Sequence, residues 1–323
     1  MTNKKVSHLK WVAQYAIRNT QYAIATHIML STELIRKIRQ IEIRTRHLVN
    51  ESFAGEYHAI FKGRGMEFDE VRPYLPGDEI RMIDWNVTAR MGEPYVKRYK
   101  EERELTVMLM VDASASGDFG SVNRFKRELA AELTAVLAFA ATTNNDKVGL
   151  MIFTDQVELF IPPRKGRRHV LRLIRELLAF EPRGKATDIK HALDAINRLL
   201  KRRSIVFLVS DFLAEPDDYR RVLGVTNRRH DVVAIELNDP LEMEIADVGL
   251  LALEDAESGE VIWVDTSSPA WRDAFKQGRE RLVEEKQQLF NWASVDRIEV
   301  TTAEDYVTAL TSFFQKRARR LSR

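Results

Sequence analysis

Largely apolar runs at 106–111, 148–153 and 205–209 have the pattern of strands covered on both faces, and 232–237, interrupted by Glu236, reads as a fourth strand. Between them the spacing turns helical. Over 123–142, Phe125, Leu129, Leu133, Val136, Leu137 and Phe139 recur at the period of one helix face. Helices are also predicted at 169–180, at 188–200 with Thr187 or Asp188 as cap, and at 217–230. A short strand at 157–161 pairs with the second run as a hairpin. Beyond the fourth run come a hairpin over 250–264 turning at Ser258 and Gly259, a long helix at 270–292, a strand at 297–301 and a helix at 306–323. Buried strands alternating with helices predict an α/β fold, a doubly wound and mostly parallel sheet with helices on both sides.

The first hundred residues read differently. Residues 1–50 are helical in pattern, with Leu34, Ile38, Ile41 and Leu48 near a 3.6 period over 34–49 and Ser31 or Thr32 as a candidate cap. From 54 to 104 glycines and prolines break the chain into short pieces, with candidate strands at 57–62 and 95–99 and a turn at Pro76, Gly77 and Asp78. The expected organisation is a helical extension at 1–53, a β-rich segment at 54–104 packed on the main domain, and an α/β domain at 105–323.

Composition narrows the chemistry. At 323 residues and 45% hydrophobic content the chain can bury a sizeable core. There is no cysteine, which excludes disulfides, thiolate metal sites, iron–sulfur clusters and a cysteine nucleophile. The net charge of +2 does not mark a nucleic-acid binder. The two ends are basic: Glu33 and Glu42 are the only acids in 1–50, and 315–323 carries Lys316, Arg317, Arg319, Arg320 and Arg323. Without interleaved aromatics these read as solvated helix faces rather than a nucleic-acid or lipid surface. The most apolar early stretch, 11–30, is interrupted by Gln14, Arg18, Asn19, Gln21 and His27, short of the roughly 20 apolar residues a span requires. The expectation is a soluble, cytoplasmic protein.

Polar residues gather where the predicted strands end. The first run leads into Asp112, Ala113, Ser114, Ala115 and Ser116; the third ends at Ser210 and Asp211; Thr187 and Asp188 open a helix between them. In open α/β sheets, ligands bind at the carboxyl ends of the strands. Asp112, Ser114 and Ser116 alternate, so extended backbone turns all three toward one point. A carboxylate with hydroxyls is a hard oxygen set, suited to Mg²⁺ or Mn²⁺ rather than zinc. Neutral hydroxyls leave such an ion under-neutralised and receptive to a carboxylate from another molecule. An alternative assignment makes Ser114, Ser116 and Asp211 helix caps.

Asp112, Ser114, Ser116, Thr187 and Asp211 in this order resemble the metal-ion-dependent adhesion site of von Willebrand factor type A domains. The resemblance implies that the two serines and the threonine coordinate the metal and that the aspartates act largely through water. A second, longer resemblance precedes it. Residues 63–85, GRGMEFDEVRPYLPGDEIRMIDW, with TAR at 88–90 and PYVK at 94–97, are similar to the signature of the bacterial "domain of unknown function 58" family. It covers about residues 34–240 and implies a short branch without membrane helices. Gly117 stands where that family usually has methionine, a position that is not a ligand. Relatives with this signature are commonly associated with MoxR-type AAA+ ATPases. That implies a non-catalytic adaptor binding such an ATPase and a client protein, in chaperone-like assembly or activation. Arg72, Arg81, Asp84 and Arg90 within the signature are candidates for partner docking. The reading favoured from the sequence is instead an ion-pair network pinning the segment to the main domain, because Phe68, Tyr74 and Trp85 call for a core.

The competing reading is a Mg²⁺-dependent phosphoryl-transfer enzyme with Asp112 as acceptor. A haloacid-dehalogenase-like site wants a second carboxylate where Ser114 stands. The chain carries no Gly-x-x-x-x-Gly-Lys-Ser/Thr loop and no His-Glu-x-x-His pair.

Overall fold

The computed structural model describes residues 67–100, 104–121, 124–254 and 259–321, with Arg36, Arg39, Gln40, Ile43 and Tyr57 singly. The expected helix at 34–49 lies mostly outside the described residues, although its four described members are helical. Gly63 and Gly65 also lie outside. Tyr57, expected to begin a strand, is helical and fully buried, with its ring edge-on to Phe314 at 6.3 Å.

The signature segment forms β1 (Glu67–Pro73) and β2 (Tyr95–Lys100), an antiparallel pair enclosing a short 3-10 turn (Ile80–Met82) and α1 (Trp85–Met91). Asp84 caps α1 by accepting the Asn86 and Val87 N–H groups, and Gly92 ends it in the left-handed region at φ 76°.

The main sheet has six strands: β3 (Thr106–Asp112), β4 (Lys147–Phe153), β5 (Val157–Arg164), β6 (Ile205–Ser210), β7 (Asp231–Asn238) and β10 (Asp296–Thr301). Their spatial order is β10-β7-β6-β3-β4-β5, all parallel except the edge strand β5, which pairs antiparallel with β4. Counted from β3, this is the 3-2-1-4-5-6 order of a doubly wound sheet. The direction of winding reverses between β3 and β6. A separate hairpin, β8 (Leu250–Glu254) with β9 (Val261–Asp265), follows β7.

Strand alternation assigns each face its helices. Val107, Leu109 and Val111 pack with α2 (Lys126–Thr143), α3 (Arg167–Leu178) and α8 (Tyr306–Leu321). Met108 and Met110 pack with α4 (Ile189–Leu199), α5 (Pro216–Arg229) and α7 (Pro269–Ala293). The central strands are close to fully buried on both faces, which is why they read as largely apolar runs. A four-residue turn, α6 (Pro240–Met243), caps the end of β7 through Asp239. On α8, Arg317 pairs with Asp231 and Asp296, and Arg320 pairs with Asp296, so part of the basic carboxyl end is spent inside the fold. No helix among the described residues is long and apolar enough to cross a membrane.

Candidate metal site

β3 and β6 deliver their last residues to the point where the winding reverses, and the site is built there. Asp112 ends β3. Its Oδ1 accepts the Ser114 N–H at 2.9 Å, and its Oδ2 accepts the Ser210 hydroxyl at 2.7 Å. Ser114 Oγ and Ser116 Oγ lie 3.0 Å apart, so the alternating positions do turn toward one point. Ser116 sits in a short 3-10 turn, Ala115–Asp118.

The capping alternative fails on these bonds. Ser114 makes no side-chain capping bond to that turn. Asp211 does not cap α5, whose N-cap is Glu215; it accepts the Leu213 N–H at 3.3 Å and an ammonium described below.

The loop carrying Thr187 is tied to the chain just beyond β3 and β4. Ala115 N–H donates to Lys185 O at 2.9 Å, and Asp188 N–H donates to Thr154 O at 3.0 Å. Gly184 lets this loop close down. A Cβ there would fall 2.1 Å from Asp155 Oδ1 and 2.5 Å from Thr154 Oγ1. Asp188 caps α4 through His191 N–H at 2.7 Å. Thr187 is half-buried on this adjoining loop.

Beside the ends of β3 and β6 is a cavity of about 10 Å³, room for one water-sized guest, lined in part by Asp112, Ser114, Ser116, Ser210 and Asp211 together with Lys126 and Arg127; Thr187 is not among its lining residues. Burial, reinforced by the charge of Asp211, pushes Asp112 up to about 7, against the hydrogen bonds from Ser210 and Ser114. A divalent cation would relieve that desolvation. The donors are hard oxygens and the space is small, so the residues fit Mg²⁺ or Mn²⁺. Among the described residues no group of three or more His, Cys, Asp or Glu side chains forms a conventional metal cluster. A metal here would depend on the hydroxyls instead.

Three contributors were not singled out from the sequence. Ser210 holds Asp112 and also accepts the Phe212 N–H at 3.1 Å. Phe212 is fully buried at φ 52°, a left-handed conformation costly for a bulky residue, and packs edge-on to Phe290 at 5.2 Å. That forced turn directs the chain around Asp211. Lys126, the first residue of α2, reaches Asp211 Oδ2 at 2.8 Å and Glu242 Oε1 at 2.6 Å while only 1% exposed. Burial alone would depress its pKa, but Asp211 and Glu242 outweigh burial and hold it above the usual lysine range.

With this geometry in place, the comparisons can be read. Residues 70–285 match the family model described as "Protein of unknown function DUF58". The chain belongs to that family. An uncharacterized protein of Mycobacterium tuberculosis (strain ATCC 25618 / H37Rv) is 32% identical over 289 residues, covering 89% of this chain and 90% of that one. Solved structures of similar fold include conserved hypothetical protein BatB from Bacteroides thetaiotaomicron, at 15% identity over 67% of this chain and 99% of that chain, TM-score 0.46. They also include a von Willebrand factor type A structure from Catenulispora acidiphila, at 11% identity over 69% of this chain and 43% of that one, TM-score 0.41. The DUF58 match takes in both the described signature segment and the candidate metal site. The expected fold class, a mostly parallel doubly wound sheet flanked by helices, is the fold observed.

The DUF58 signature residues divide into two pairs. Arg72 forms a two-pronged ion pair with Asp78, at 2.8 and 2.7 Å, which holds Asp78 below the usual carboxylate range. Asp84 caps α1 and lies 3.3 Å from Lys97; the Val87 N–H bond leads in keeping its pKa low. Both pairs are internal to the segment. Arg81 and Arg90 are exposed and have no partner among the described residues. Trp85, expected in a core, is 66% exposed on a short helix over which no apolar layer lies among the described residues. Gly117 has open space at its Cβ position, with only Arg127 Cβ at 3.8 Å, so a larger residue fits there.

Proposed function

We propose that this DUF58 protein is a non-catalytic adaptor that binds a protein partner through a divalent cation at the carboxyl edge of its sheet. The observation that carries the reading is the convergence of Asp112, Ser114 and Ser116 at the switch point, with Asp211 opposite and a water-sized cavity between them. Asp112, Ser114 and Ser116 would hold Mg²⁺ or Mn²⁺, with Thr187 and Asp211 completing the set from the facing loops. When bound, the ion supplies a Lewis-acidic position open to a partner's carboxylate. Ser210 and the Ser114 N–H fix the orientation of Asp112. The exposed Arg81, Arg90 and Trp85 supply a second contact surface; Arg72 and Asp84 support that surface from within. By the signature resemblance, the partner is a MoxR-type AAA+ ATPase acting with a client protein in the cytoplasm, without nucleic acid.

The phosphoryl-transfer alternative gains no observation. Both oxygens of Asp112 are engaged in hydrogen bonds, and Ser114 occupies the place of a second carboxylate. The test is capture of the purified ATPase by the immobilised chain. Capture is expected in Mg²⁺, is lost in EDTA and is lost with Asp112→Ala. Equal capture in EDTA refutes the metal-dependent reading.

A further inference from the structure

A metal site of two aspartates and three hydroxyls does not call for a lysine, yet Lys126 lines its cavity. Three features make its position unusual. It opens α2, where the helix dipole disfavours a cation. It is 1% exposed, so its ammonium has been stripped of water. It bridges two carboxylates from separate loops, Asp211 at 2.8 Å and Glu242 at 2.6 Å. Glu242 is itself anchored: its Oε2 accepts the Asp239 N–H at 3.1 Å within the capping box of α6. Asp239 in turn accepts from Thr302 at 2.6 Å and from the Ser121 N–H at 2.8 Å. The Glu242 side is therefore rigid, whereas Asp211 faces the cavity.

Resting on the metal reading above, we infer that Lys126 is a built-in competitor of the divalent cation for Asp211. With no metal bound, the ammonium neutralises Asp211. A dication entering beside it meets a like charge in a poorly screened site, and the ammonium must rely on Glu242 alone. The ion by itself is therefore held weakly. A partner's carboxylate adds the negative charge that offsets this repulsion, so metal and partner bind tightly only together. Lys126 thus sets the threshold that makes binding conditional on the partner.

Mn²⁺ titration of the purified full chain, followed by electron paramagnetic resonance of the free ion, tests this in four proteins. Lys126→Met is expected to bind Mn²⁺ at least about tenfold more tightly than wild type, about 1.4 kcal/mol. Glu242→Gln is expected to bind more weakly, because the ammonium then leans wholly on Asp211. Asp112→Ala is expected to bind none. If wild type binds and Lys126→Met binds no more tightly, the competitor role is overturned while the metal reading stands. If Lys126→Met binds and wild type alone does not, the competitor role stands, and the metal reading falls only if wild type also takes up no Mn²⁺ with the partner ATPase present. If neither binds, both fall. Should Lys126→Met not fold, Glu242→Gln decides: affinity equal to wild type overturns the inference.

Discussion

Ser210→Ala removes one hydroxyl with two duties. It donates to the buried Asp112 carboxylate at 2.7 Å and accepts the buried Phe212 N–H at 3.1 Å. A hydrogen bond to a charged group contributes roughly 1.5–3 kcal/mol, and a buried donor left unpaired costs about 1–3 kcal/mol. Burial raises the Asp112 pKa and so disfavours its charged form, which puts the first figure near its lower end. The two effects share one side chain and do not add in full. A loss of roughly 2–4 kcal/mol follows. Urea unfolding in EDTA, followed by tryptophan fluorescence, measures it. The same substitution frees Asp112 to rotate, and loss of such a supporting bond typically weakens metal binding about 10- to 100-fold. A Ser210→Ala protein within about 0.5 kcal/mol of wild type and with unchanged Mn²⁺ affinity would refute the account of how Asp112 is held.

Three further outcomes are expected. Burial raises Asp146 to about 6, above its unfolded value near 4, so its contribution is favourable below about pH 4 and is lost as pH rises through 6. Asp146→Asn, which still accepts the Leu105 N–H, should flatten that decline and be more stable than wild type by roughly 1–2 kcal/mol at pH 7.5 in thermal unfolding. Gly184→Ala pushes on Asp155 and Thr154 and should cost about 1–3 kcal/mol while displacing the Thr187 loop, seen as weaker Mn²⁺ binding. Trp85→Ala, at an exposed position, should change stability by less than about 0.5 kcal/mol; if the proposed ATPase partner docks on α1, capture should weaken at least about tenfold, and unchanged capture removes α1 from the proposed contact surface.

The doubly wound sheet was legible because β3, β4, β6 and β7 are buried on both faces, and such strands read as largely apolar runs, with Glu236 the buried exception in β7. The convergence of Asp112, Ser114 and Ser116 was legible because they are neighbours in sequence and follow such a run. Lys126 was not, since its partners lie 85 and 116 residues away and nothing local announces a buried ammonium. Its one local signal is a cation in the first turn of a helix, against the dipole. Phe212 gave no signal at all, because no property of phenylalanine favours a left-handed turn. In the signature segment the signals for α1 were present, with Asp84 as cap and Gly92 as stop, but the surrounding prolines and glycines favoured strands and turns. Burial of Trp85 was inferred from residue type alone, and among the described residues its short helix has no facing layer to cover it.

The central claim is that a divalent cation sits among Asp112, Ser114 and Ser116. Anomalous diffraction at the manganese edge, from crystals grown with Mn²⁺, addresses it directly. The account expects one peak in the cavity within coordinating distance of the Ser114 and Ser116 hydroxyls, absent from Asp112→Ala crystals grown the same way. A cavity with no anomalous peak, or a peak that persists without Asp112, would contradict it.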